Sequence, residues 1–247
     1  MSFPNQTQDK LYETYQKNIQ QFQFDESVAK VFSDMIKRSV PGYENILSMI
    51  GLFTQAHGAE GTNCYDLGCS LGASTLAILE NLKQPDCRVI GIDNSQAMTE
   101  RCRKNLNQRY DSHSFDIRCE DIQNCQLENA SVIVLNFTLQ FINKNERTRL
   151  IDKLYQALIP GGVLILSEKI HFQNDAKNQL FRELHHGFKK AQGYSDLEIS
   201  QKRTALENSL IPETIDTHLN RLMDAGFQKA DLWFQCLNFA SFFAIRS

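Results

Sequence analysis

Residues 62–72 read Thr-Asn-Cys-Tyr-Asp-Leu-Gly-Cys-Ser-Leu-Gly, and residues 89–94 read Val-Ile-Gly-Ile-Asp-Asn. The first is a strand entering a tight glycine turn. The second is a strand ending in an acid. In an open α/β sheet this pair holds a nucleoside: the backbone approaches the ligand at the turn, and the carboxylate takes the ribose hydroxyls. Asp93 lies 25 residues after Gly68 (93 − 68), close to the spacing of roughly 20 expected of a ribose-binding acid. A helix cap is the competing role for Asp93, but Ser95 already fills it. Asn94 is placed to add a contact to the nucleoside.

A pyrophosphate-binding turn requires G-x-G-x-x-G. The register here is Asp66-x-Gly68-x-Ser70-x-Gly72. It resembles the D-x-G-x-G-x-G loop of class I S-adenosylmethionine-dependent methyltransferases, with Ser70 replacing the middle glycine. Gly68, Cys69 and Ser70 are then the loop residues against the cofactor. Serine keeps the loop compact but narrows its backbone conformations. An ordinary strand-to-helix turn would carry the same glycines. In that superfamily an acid and its neighbour after the third strand meet the adenine. The resemblance therefore places Asp121 and Ile122 there, with a solvated loop acid as the alternative for Asp121. Asn136 closes an apolar strand and needs a polar partner. The methionine part of the cofactor and its methyl are expected beside it.

Segments outside this core narrow the reading. They are Arg38-Ser39-Val40-Pro41-Gly42-Tyr43, Leu135-Asn136-Phe137-Thr138-Leu139-Gln140-Phe141, the stretch from Gly193-Tyr194-Ser195 to Gln201-Lys202-Arg203, and Leu232-Trp233-Phe234-Gln235-Cys236. With the glycine loop they resemble the carboxy-S-adenosyl-L-methionine synthase family from about Phe24 to Ala244. The resemblance implies an enzyme that replaces a methyl hydrogen of S-adenosyl-L-methionine with a carboxylate. Prephenate is the implied carboxyl donor and phenylpyruvate the by-product. The product, carboxy-S-adenosyl-L-methionine, would feed a partner enzyme that modifies a tRNA wobble uridine. The resemblance further implies a homodimer, with Arg203 anchoring the new carboxylate from its own or the other subunit. A surface arginine on an amphipathic helix is the plainer reading of Arg203, and Lys202 beside it is expected to be solvated. Tyr43 follows a Pro-Gly turn that aims it at the cofactor, where its hydroxyl would meet carboxylates; a core tyrosine is the alternative. His185 and His186 are expected as one packed and one surface residue. No further ligand lies at metal-binding spacing, so no metal is assigned. A conventional small-molecule methyltransferase on the same fold is the competing function.

The elements that must position these residues follow from periodicity. Helices are expected at Asp25–Ile36, Glu44–His57, Ser74–Leu82, Ser95–Asn105 and Lys144–Leu158, the last stopped by Pro160-Gly161-Gly162. Strands are expected at Cys64–Leu67, Cys87–Ile92, Ser114–Arg118, Ala130–Phe137 and Val163–Leu166. An antiparallel hairpin at Ala230–Gln235 and Phe239–Ile245 should lie at the sheet edge. Residues 168–211 break the alternation and read as a helical insertion. Pro212 is placed in the first turn of a helix whose buried stripe is Ile215, Leu219, Leu222 and Met223. The fold class is a Rossmann-like α/β methyltransferase fold. It comprises a single S-adenosylmethionine-binding domain over residues 23–247, after a flexible N-terminus at 1–22.

Bulk properties set limits. Of 247 residues, 42% are apolar, enough for one sizeable core. The net charge of −3, from 26 basic and 29 acidic residues, disfavours direct nucleic-acid binding. Seven cysteines without framework spacing suit a reduced, cytoplasmic setting. No apolar run reaches membrane length, and residues 1–7 lack a signal-peptide pattern.

Overall fold

The computed structural model describes residues 7–247. Two helices come first. Asp25 caps α1 (Glu26–Ser39), its side chain accepting from the Val28 N–H. Gly42 then turns the chain into α2 (Tyr43–His57) at φ 77°. A Cβ at Gly42 would lie 2.4 Å from the Phe234 ring, so only glycine fits this approach.

The alternation follows as β1 (Asn63–Leu67), α3 (Ala73–Asn81), β2 (Arg88–Asp93), α4 (Gln96–Leu106), β3 (Phe115–Cys119), β4 (Ala130–Asn136), a 3-10 turn (Leu139–Phe141), α5 (Lys144–Ala157) and β5 (Leu158–Lys169). Ser95 caps α4 by accepting from Met98, as its sequence position suggested. After β5 come α6 (Asp175–Ala191), α7 (Asp196–Leu206), α8 (Ile215–Asp224), β6 (Lys229–Cys236) and β7 (Phe239–Ile245). The sheet order is β3-β2-β1-β4-β5-β7-β6. β1 to β5 are parallel, and β7 runs antiparallel between β5 and β6.

β4 and β5 show why central strands read as unbroken apolar runs. Val132, Val134, Val163 and Ile165 pack on one face with Ile46, Ile50 and Ile78 of α2 and α3. Ile133, Leu135, Leu164 and Leu166 pack on the other with Leu150, Leu154 and Leu222 of α5 and α8. Both faces of the strand are covered, so neither phase of the period-2 pattern is polar. Strand order reverses between β1 and β4, and a ligand crevice is expected outside the carboxyl ends of the strands at such a switch point.

Four local expectations are corrected. Residues 1–6 of the supposedly flexible N-terminus lie outside the described residues, but 7–22 form a strap docked on α7. Gln201 donates to the Tyr12 and Thr14 carbonyls and accepts from Gln16 N–H, and Phe22 N–H donates to Ala205 O. An irregular segment can pack only if its backbone polar groups find partners, and here α7 side chains supply them. α5 ends at Ala157, ahead of Pro160-Gly161-Gly162, because those residues already belong to β5. Pro212 precedes α8, whose N-cap is Thr214; neighbouring Glu213 is taken by Arg147 and Arg221. Met223 is 54% exposed, while His218 and Arg221 are buried with Leu222.

Candidate active site

A cavity of about 380 Å3 opens at the switch point and runs under α1, α6 and α7, within the usual size range of small-molecule sites. Three strand ends and the glycine loop form one side of it.

The loop is held by β2. Gly68 and Cys69 N–H groups both donate to Ile92 O, at 2.7 and 3.0 Å. A Cβ on Gly68 would fall 2.2 Å from Thr138 Oγ1. Ser70 sits at φ 47°, the left-handed conformation that the motif usually assigns to glycine. For an L-residue this costs roughly 1–2 kcal/mol. Asp93 offsets that cost. Its buried carboxylate accepts from Ser70 N–H and Ser95 N–H, each at 2.9 Å. Burial raises its pKa, and those two backbone donors oppose the rise.

The structure brings Asn94, Asp121, Ile122 and Asn136 to the same cavity, with Gly68, Cys69, Ser70, Asp93 and Tyr43. Asn136 Nδ2 donates to Ser74 Oγ at 3.1 Å, while its buried Oδ1 has no partner among the described residues. A buried acceptor left open beside a glycine cradle fits an ammonium-bearing nucleoside ligand. Tyr43 is buried at the head of α2, its ring centroid 6.5 Å from that of Phe137. Burial, with help from the Asp66 carboxyl, holds its phenol far above the ordinary tyrosine range, so the hydroxyl stays a neutral donor. Phe137 adopts φ 63° and packs edge-on to Phe239. Left-handed backbone in a bulky aromatic is uncommon, and such strain concentrates at functional sites.

Asp66 lies beneath the loop and accepts from Thr75 Oγ1 at 2.6 Å. Burial lifts its pKa to about 7, with the Thr75 hydrogen bonds opposing and Asp93 assisting. The native state therefore keeps a proton that the unfolded chain releases near pH 4. Between those pH values the native state binds more protons, so this group's contribution declines as pH rises, by about 1.4 kcal/mol per unit. Asp66→Asn should remove that share of the slope. Urea unfolding at pH 5 and pH 7 should show a smaller loss of stability on going to pH 7 in the variant; an unchanged difference would remove Asp66 from this role.

The helical insertion holds the surprises. Lys202, expected in solvent, is buried; its ammonium lies 3.1 Å from Ser39 Oγ and 3.4 Å from Asp9 of the strap. Burial lowers its pKa to about 8 against the pull of Asp9. Arg203, one residue on, is exposed and does not border the cavity of its own chain. His185 is packed and bonds Ser39 O through Nε2 at 2.8 Å, with burial dropping its pKa to about 3. His186 is on the surface against Asp196. Lys169 and Lys189, which sequence reasoning passed over, also border the cavity. The signal available for Lys189 was its spacing of four residues from His185 on α6, which puts both on one helix face. Among the described residues no group of three or more His, Cys, Asp or Glu could hold a metal, and no helix is long and apolar enough to cross a membrane.

Comparisons agree with this geometry. A family model described as a methyltransferase domain matches residues 65–162. A carboxy-S-adenosyl-L-methionine synthase from Trichlorobacter lovleyi is 54% identical over 241 residues, covering 96% of this chain and 98% of its own length. One from Marinobacter nauticus is 52% identical over 246 residues, covering 99% and 97%. Among solved structures, a Methanococcus maripaludis protein described as an S-adenosyl-L-methionine-dependent methyltransferase superposes with a TM-score of 0.62 at 18% identity, over 95% of this chain and 98% of that one. That structure supports the fold, and the near-full-length relatives carry the assignment further: the chain belongs to the carboxy-S-adenosyl-L-methionine synthase family, built on the class I methyltransferase fold.

Proposed function

We propose that this chain carboxylates the methyl group of S-adenosyl-L-methionine, taking the carboxyl from prephenate and releasing phenylpyruvate. The product would serve as carboxymethyl donor for a separate enzyme acting on tRNA wobble uridine. The observation that carries the reading is a single cavity shared by the nucleoside loop and the cap. α1, α6 and α7 roof the end beyond Asn136 and Tyr43, which suits a small co-substrate and a reactive intermediate shielded from water.

In this reading Asp93 and Asn94 hold the ribose, Asp121 and Ile122 the adenine, and Gly68–Ser70 the backbone-facing edge. Asn136 Oδ1 accepts from the methionine ammonium, and Tyr43 donates to a carboxylate. The sulfonium acidifies the methyl C–H. As the donor's ring aromatises, its C–C bond breaks to give carbon dioxide and its C–O bond breaks to give hydroxide. Hydroxide takes the methyl proton to form water, and the ylide carbon bonds carbon dioxide before it escapes. The protein contributes positioning, exclusion of water and anion binding. Arg203 is the carboxylate anchor, supplied by the second subunit of a homodimer, since it is exposed and does not border the cavity of its own chain.

Mass spectrometry after incubation with S-adenosyl-L-methionine, with and without prephenate, tests the reading. The nucleoside should gain a carboxyl only when prephenate is present. Demethylated nucleoside instead would mean ordinary methyl transfer and would overturn it.

A further inference from the structure

Three elements outside the nucleoside half each send a lysine to the same cavity: Lys169 ends β5, Lys189 lies on α6 and Lys202 on α7. Such convergence is unfavourable for folding alone. Burial, and repulsion by Lys169, Lys202 and Arg203, bring Lys189 down to about 7, and burial with repulsion from Arg182 lowers Lys169. Of the three, only Lys202 has an anionic partner among the described residues, Asp9. The Lys169 and Lys189 ammonium groups have no hydrogen-bond acceptor or ion-pair partner among the described residues, and the imidazole near them, His185, is uncharged at neutral pH. Lys37, also at the cavity, is already paired with Glu44 at 2.8 Å. The nucleoside half of the lining carries Asp93, at the end of β2, and Asp121, just after β3. The cavity is thus polarised, with an acidic wall suited to a cationic nucleoside and a basic wall suited to an organic anion.

We propose that Lys169, Lys189 and Lys202 form the subsite for the carboxyl donor, one that selects a dicarboxylate over a monocarboxylate. The proposal rests on the carboxylation reading and adds to it the residues that recognise the donor. Three desolvated cations around one hollow, with Asp9 the one anion paired with any of them among the described residues, are relieved when anionic charge enters, so the unfavourable assembly in the free chain becomes binding energy for a dianion. Point-like ammonium groups from three elements can meet two carboxylates borne on one ring carbon, one directly and one at the end of its three-carbon keto-acid chain, while the forked geometry of arginine suits a single carboxylate. Asp9 and Ser39 hold Lys202 in place, which makes the N-terminal strap part of the subsite's support.

Steady-state kinetics with Lys169→Met, Lys189→Met and Lys189→Arg test it. Both methionine variants should raise KM for prephenate at least tenfold, with calorimetric affinity for S-adenosyl-L-methionine within threefold of the parent chain. Lys189→Arg should recover most of the loss. Unchanged affinity for the nucleoside also reports that the variants are folded. An independent measurement uses the unaltered chain: an aryl dicarboxylate should inhibit competitively with prephenate at least tenfold more tightly than its monocarboxylate analogue. Product formation with KM within twofold of the parent in both methionine variants, or equal inhibition by the two acids, would overturn the subsite alone. No carboxylated nucleoside from the parent chain would overturn the carboxylation reading and the subsite with it.

Discussion

Arg203→Ala should lower formation of carboxylated nucleoside at least a hundredfold while S-adenosyl-L-methionine binds as before. Truncating one partner of a desolvated charge pair typically costs about 2–5 kcal/mol, and a hundredfold loss is about 2.7 kcal/mol. The side chain is exposed on α7 and does not border the cavity of its own chain, though it lies close enough to Lys189 to repel it. The same helical insertion carries exposed apolar side chains for contact with a second copy: Leu180 and Leu184 on α6 and Leu197 on α7 are 51%, 48% and 38% exposed. Mixing decides between the two geometries. A chain carrying Arg203→Ala and a chain carrying Asp93→Ala, each inactive alone, form in a mixed dimer one site with both residues intact. Random exchange of subunits in a symmetric dimer should then restore about a quarter of the parent activity. Activity that stays at the level of the separate variants would place Arg203 in its own chain's site, and full activity of Arg203→Ala alone would remove it from the chemistry.

Asp93→Ala should weaken S-adenosyl-L-methionine binding by about two orders of magnitude, roughly 2.7 kcal/mol. The carboxylate has two tasks. It accepts the Ser70 and Ser95 N–H groups, and in the proposed complex it takes the ribose hydroxyls. Hydrogen bonds to a charged group contribute about 1.5–3 kcal/mol each. Its removal also leaves Ser70 in the left-handed region without the bond that offsets its strain. Stability should therefore fall together with affinity, and Asp93→Asn, which keeps one acceptor oxygen, should retain more of both. Calorimetric affinity and urea unfolding of the two variants measure this. An unchanged affinity in the alanine variant would take Asp93 out of the site, and a loss of affinity without loss of stability would mean that the loop does not depend on it.

Much of the nucleoside half was legible because its signals are local. Gly68 and Gly72 have positive φ, a backbone requirement that the residue type reports directly. β4 and β5 announced their double burial as unbroken apolar runs, and Ser95 capped the helix that its position implied. The cap was less legible. Lys202 and Arg203 are adjacent, and one helical step of about 100° gives them different surroundings, the first buried and the second exposed. Nothing local tells which. The polar composition of residues 7–22 suggested fraying because the partners that satisfy it lie some 185 residues away, as the Gln16–Gln201 bond shows.

By itself the sequence determined the alternation of strands and helices, the glycine loop in the methyltransferase register, Asp93 at its strand end, and family membership through the cap segments. These rest on short-range backbone requirements and on residue identity. Only the tertiary structure decided that Lys169, Lys189 and Lys202 border one hollow, that the N-terminal strap braces Lys202, and that Arg203 is left exposed. Those placements arise from packing between elements distant in the chain, where burial and charge repulsion act through space and leave no periodic trace in the order of residues.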